Sequence, residues 1–172
     1  MKTILKEITR ADVKTINRWR HDREVVGFLG TPFRFINLET DGQWFDDYLK
    51  NRKNQVRCGI YVRPSNKLIG VVYLTQIDHV NRNAELSIMI GDRSYWGKRI
   101  GAAAAQSMLE HAFKDLNLHR VYLSVLKDNA RAVRMYKNLG FKQEGKLEDA
   151  LFKNGEYKDL ILFGMTKKDF VV

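Results

Sequence analysis

Two glycines, Gly97 and Gly101, bracket Lys98 and Arg99 in the run Tyr95-Trp96-Gly97-Lys98-Arg99-Ile100-Gly101-Ala102. Glycine lets a backbone turn tightly, and the free N–H groups of a helix's first turn, with its dipole, make an anion site. The two cations reinforce it, so the run suits a phosphate or pyrophosphate; a glycine-bearing loop with solvated charges is the plain alternative. It is neither a Walker loop nor a Gly-x-Gly-x-x-Gly fingerprint. A second segment, Asn129 to Phe141, sets Tyr136 on the same helical side as Ala132 and Val133, where its hydroxyl faces a cleft or the core.

Those segments need a frame. Residues 3–8 read as a strand, Arg10–Arg20 as a helix, and Leu38–Leu49 as a second helix, with an aromatic, turn-rich connection between the helices. Strands follow at Arg57–Arg63 and Leu68–Gln76, joined by a tight turn at Pro64-Ser65-Asn66-Lys67, and then at Asn83–Ile90. In the last of these, Leu86, Ile88 and Ile90 share one face, with Glu85, Ser87 and Met89 on the other. Ile100, Ala104, Met108 and Ala112 predict a helix over Lys98–Leu116, and Val121–Leu126 a central strand. Asn129 caps a short helix that ends at Gly140. Strands at Phe141–Leu147 and Tyr157–Met165 turn at Asn154-Gly155. Strands alternating with helices in this order imply one α/β domain: a mixed, mostly antiparallel central sheet flanked by helices.

Thirty Lys and Arg against twenty Asp and Glu leave a formal charge of +10 on 172 residues. Residues 93–142 hold ten of the cations and only Glu110, Asp115 and Asp128 as acids, so most of the excess lies across the two segments above. A basic face suits nucleic acid, an anionic surface or a phosphorylated small molecule. Clustered aromatics for base stacking are missing from it, and no helix-turn-helix pattern stands out. The one cysteine, Cys58, excludes an internal disulfide framework, and the four histidines are scattered, so no metal site is expected. The charged N-terminus lacks a signal peptide's apolar stretch, and no run approaches a membrane span, so a cytoplasmic protein is expected. Cys58 reads as a core thiol, and His79, His111 and His119 have no neighbours that would make them catalysts.

Tyr95–Ala102, followed at this separation by Asn129-x-x-Ala132-x-x-x-Tyr136-x-x-x-Gly140-Phe141, resembles the GNAT superfamily of acetyl-CoA-dependent N-acetyltransferases. The likeness runs from about Leu68 to the C-terminus in motif order, and earlier in element order only. The family's first motif has Gln or Arg, two residues, Gly, any residue, then Gly or Ala. Here Trp96 stands at the Gln/Arg position and Arg99 at the central glycine, while Gly101 keeps the last.

The resemblance implies that residues 1–172 form one N-acetyltransferase domain. It would move an acetyl group from acetyl-CoA to a primary amine by direct attack in a ternary complex. It implies a cofactor site at Ile88, Met89 and Ile90, at Trp96, Gly97, Lys98, Arg99, Ile100, Gly101 and Ala102, and at Asn129 and Lys137. Backbone N–H groups of Met89 or its neighbours would polarise the thioester carbonyl, and Tyr136 would protonate the departing thiolate. Glu85, on the strand face of Ser87 and Met89, is the candidate base through a water; a surface carboxylate is its alternative.

Trp19-Arg20, Glu144-Gly145 and Asn154-Gly155-Glu156-Tyr157 are similar to the branch of ribosomal-protein N-terminal, spermidine and nucleotide-linked aminosugar acetyltransferases. The acceptor falls to the first helices and their aromatic connection. There the acids Glu39, Asp41, Asp46 and Asp47 favour a cationic amine, whereas the global charge favours an anionic one. A basic nucleic-acid or ribosome-associated module with the same fold is the alternative function. No membrane partner is expected. A strand edge near the C-terminus leaves pairing with a second copy open.

Overall fold

The computed structural model describes residues 2–171. Seven strands form one sheet in the order β1-β2-β3-β4-β5-β7-β6. They are β1 (Thr3–Glu7), β2 (Val56–Val62), β3 (Lys67–Asp78), β4 (Asn83–Ile90), β5 (Arg120–Leu126), β6 (Lys142–Lys153) and β7 (Glu156–Thr166). The helices are α1 (Arg10–Arg20), α2 (Arg23–Gly27), α3 (Leu38–Lys50), α4 (Ile100–Glu110) and α5 (Ala130–Asn138). Every neighbouring pair is antiparallel except β4 and β5, which run parallel because α4 crosses over between them.

Alternation along the strands feeds two cores. Val72, Leu74 and Leu86 pack with Ala104, Ala105, Met108, Val121, Leu123 and Phe163 on the α4 side. Val71 and Met89 point to the opposite face, under Val13, Ile16 and Trp19 of α1 and Phe45 and Tyr48 of α3. The alanines of α4 let its backbone lie close against the sheet. Among the described residues no helix is long and apolar enough to cross a membrane.

Three sequence expectations change. The α4 helix begins at Ile100 rather than Lys98, because Arg99 has φ 59° and ψ 10°, a left-handed conformation that cannot continue a right-handed helix. Its far end passes into a π-helical turn over His111–Asp115, which stops before Leu116. The last hairpin is longer than the apolar pattern predicts: β6 is a sheet edge with mostly exposed residues, so polar side chains up to Lys153 fit a strand there. The α2 helix, five residues long, is too short to show periodicity. Asp22 caps it, its carboxylate accepting from the Glu24 N–H at 2.9 Å.

Candidate active site

The parallel pair β4–β5 holds together only from Asn83 to Glu85, opposite Arg120 to Tyr122. Beyond Glu85 the strands separate, and a wedge opens within the sheet. The Gly91 N–H donates to the Ile69 carbonyl at 3.0 Å, which sets the alternation along β4. Gly91, Met89, Ser87 and Glu85 direct their main chains to β3, and Leu86, Ile88 and Ile90 direct theirs into the wedge. The Ile90 carbonyl is already taken, accepting from the Trp96 Nε1–H at 2.8 Å. The main-chain groups of Ile88 and the N–H of Ile90 face the opening. Met89, whose N–H bonds to β3, cannot polarise a carbonyl there; its neighbours can.

A cleft of about 950 Å³ continues from the wedge between α4 and α5. Ile88, Met89, Ile90, Trp96, Gly97, Lys98, Arg99, Ile100, Gly101, Ala102 and Asn129 all line it. The turn into α4 uses two left-handed residues, Gly97 (φ 76°) and Arg99. Glycine takes this conformation freely, whereas Arg99 does so at a cost of roughly 1–2 kcal/mol. Ala103 N–H makes the first helical bond, to the Arg99 carbonyl, so the amides before it are free to meet an anion. Among the described residues four cations line the cleft, Lys98, Arg99, Arg131 and Arg134, and no carboxylate does. Other cations of the basic segment are neutralised elsewhere: Arg93 by Asp22 and Glu24, Lys114 by Glu110, Arg120 by Glu144, Lys127 by Asp159 and Lys142 by Asp169. An open strand backbone beside a helix start ringed by cations fits the pantetheine arm and phosphates of a coenzyme A thioester.

A family model of the GNAT acetyltransferase domain matches residues 2–142. The chain belongs to the GNAT acetyltransferases. It is 31% identical over 159 residues to spermidine N(1)-acetyltransferase of Escherichia coli strain K12, covering 91% of this chain and 82% of that one. The spermidine N(1)-acetyltransferase of Vibrio cholerae is also 31% identical, over 91% of this chain and 88% of its own. The structure of a Vibrio cholerae spermidine N-acetyltransferase in complex with CoA and spermine superposes with a TM-score of 0.91 at 25% identity, over 97% of this chain and 96% of that one. This GNAT protein is an acetyl-CoA-dependent N-acetyltransferase with a single α/β domain. The reading as a basic nucleic-acid module finds no support among these relatives.

Tyr136 lies behind the GNAT cleft rather than on its lining. It is 5% exposed and packs against the rings of Phe141 and Phe163, with centroids 5.6 and 6.2 Å away. Its helix neighbours Ala132 and Met135 do line the cleft. Burial alone pushes its phenol pKa well above the ordinary value, so the hydroxyl keeps its proton at neutral pH. Glu85 stands at the apex of the wedge, half-buried, and accepts from Gln76 Nε2 at 2.9 Å. Its charge also helps to raise the Tyr122 pKa, after the larger effect of burial.

Asn129 has a structural task in any event. Its carboxamide oxygen accepts from the Ala132 N–H at 3.1 Å, capping α5, and its nitrogen donates to the Phe28 carbonyl at 3.2 Å. Lys137 is a correction. It is exposed and does not line the cleft, lying roughly a third of a turn round α5 from the centre of the cleft-facing arc. The sequence reading missed Arg131 and Arg134, which occupy that arc, and Phe28, whose ring meets Trp96 edge-on at 5.5 Å. Arg131 stacks over Trp96 at 4.9 Å. The i, i+3 spacing of Arg131 and Arg134 puts both on one side of α5. Cys58 packs against the main core, and burial pushes its thiol pKa up to about 11, which makes it a poor nucleophile.

Proposed function

We propose that this single acetyltransferase domain acetylates a small primary amine in the cytoplasm, by direct attack on the thioester of acetyl-CoA held in the α4–α5 cleft. The observation that carries this reading is the wedge beyond Glu85–Tyr122, with unpaired Ile88 main-chain groups beside the cation-ringed start of α4. Holding amine and thioester together supplies an effective molarity on the order of 10⁵ M or more in favourable cases. The N–H of Ile88 or Ile90 stabilises the oxyanion that develops on the thioester carbonyl. Glu85, at the apex, takes the proton of the attacking amine through a water. Tyr136, a phenol protonated at neutral pH just behind the cleft-lining Ala132 and Met135, gives its proton to the departing thiolate. The protein itself is not acylated.

The spermidine named for the relatives, N-terminal peptides and aminosugars are the acceptors to try. Calorimetric titration with acetyl-CoA, then thiol release in the same sample against that panel, tests the reading. Saturable binding with amine-dependent release is expected. A protein that fails to bind acetyl-CoA, or binds it and releases no thiol with any amine, is not the transferase proposed.

A further inference from the structure

The acids that favoured a cationic acceptor are occupied. Asp41 is 1% exposed, ion-paired with Arg20 and accepting from Asn17 Nδ2 at 2.7 Å. Asp46 pairs with Arg10, Asp47 with Lys50, and Glu39 accepts from Asn37 at the start of α3. None of the four lines the cofactor cleft or the smaller cavity beside it.

Cations hold the same region. Beside the cofactor cleft, and sharing Leu29 with it, lies a cavity of about 370 Å³ lined by Arg20, Thr31 and Arg34, with no Asp or Glu in its wall. Its rim is a built one. Lys153, 4% exposed, reaches across from the β6–β7 hairpin and donates to the carbonyls of Val26 (2.8 Å), Leu29 (2.6 Å) and Thr31 (2.8 Å). This fixes the loop after α2, and Lys153 forms no ion pair among the described residues.

Arg57 continues the pattern onto the sheet face that carries Ser87 and Glu85, being paired across β2–β3 with Tyr73, itself opposite Ser87. Its guanidinium lies 4.7 Å from the Tyr73 ring, 4.8 Å from Trp44 and 5.8 Å from Tyr48. Its side chain donates to Gln55, at 2.8 Å, and pairs with no carboxylate among the described residues. Burial raises the Tyr73 phenol pKa, and the charges of Arg57 and Arg20 both act against that rise. A desolvated cation without an anion is costly, and an anionic ligand group relieves that cost.

We infer that the acceptor is a small zwitterionic amine, its anionic group, a carboxylate or a phosphate, received by Arg34 and Arg57 while its amine meets Glu85 at the apex of the wedge. This rests on the transferase reading above. It sets the chain apart from relatives named for spermidine, because a polyamine would bring several positive charges to a wall of cations.

Matched acceptors that differ only by the anion test it: glucosamine against glucosamine 6-phosphate, and ethanolamine against phosphoethanolamine and β-alanine, with spermidine alongside. Affinity for the CoA-loaded protein is measured by calorimetry and turnover by thiol release. The anionic member of a pair is expected to bind at least tenfold more tightly, and the β-alanine and phosphate arms tell carboxylate from phosphate. Arg34→Gln, on an exposed loop, is expected to abolish most of that preference while acetyl-CoA affinity stays within twofold. Equal affinities within every pair, no measurable binding by any anionic member, tighter binding of spermidine, or a preference untouched by Arg34→Gln would overturn the inference. Anion-dependent binding with no thiol release from any amine would instead sink the transferase reading and leave the anion site standing.

Discussion

The cofactor cleft takes its backbone groups and cations from two short stretches, residues 88–102 and 129–139, whereas the proposed acceptor side draws Arg34, Arg57 and Lys153 from three separate parts of the chain. The cleft works mainly with main chain: an unpaired strand, a helix start and two left-handed turns. Its side chains add charge without much individual geometry. The proposed acceptor side works with side chains: Arg57 packs against the Trp44 ring and Lys153 bonds to loop carbonyls. A site made of backbone tolerates unusual residues, as Trp96 and Arg99 show. A site made of side chains changes its ligand whenever one of them changes.

The largest test of this contrast is Tyr136→Phe, which removes one proton donor and leaves the cleft's backbone intact. Turnover is expected to fall about 10²-fold, the low end for a positioned acid, with acetyl-CoA affinity within twofold by calorimetry. Unchanged turnover would make Tyr136 a core residue beside Phe141 and Phe163. Next is Asn129→Ala, at the joint between the two regions. Losing the α5 cap costs about 1 kcal/mol, roughly 2–4 °C of Tm at this chain length, read by thermal unfolding. A Tm that does not move would mean that the Phe28 tie carries nothing. The smallest effect separates two neighbours on α5. Arg134→Gln is expected to weaken acetyl-CoA binding about two- to fivefold, an effect that high salt erases, while Lys137→Gln leaves it unchanged. Equal losses would put Lys137 back in the site.

Much of this was legible because it is local. Strand alternation in Asn83–Ile90 fixed which residues face α1 and which face α4, and the small residues of Gly101–Ala105 marked the helix that lies closest to the sheet. Glycines and an Asn cap are punctuation that a single strand or helix reads for itself. Lys137 was misplaced because motif spacing names a helix without naming its arc. The acids Glu39, Asp41, Asp46 and Asp47 show a related limit. As a list they make an acidic patch, yet folding brings Arg20, Arg10 and Lys50 to three of them.

The residue order by itself determined the α/β class and the order of the longer elements, since these depend on periodicity and on caps and turns set within a few residues. Only the tertiary structure decided where β4 and β5 part and which charges remain unpaired on the acceptor side. Both are outcomes of long-range packing. The wedge opens because α4 and α5 occupy its flanks, and an ionisable side chain counts toward a ligand only after its partners across the fold have been satisfied.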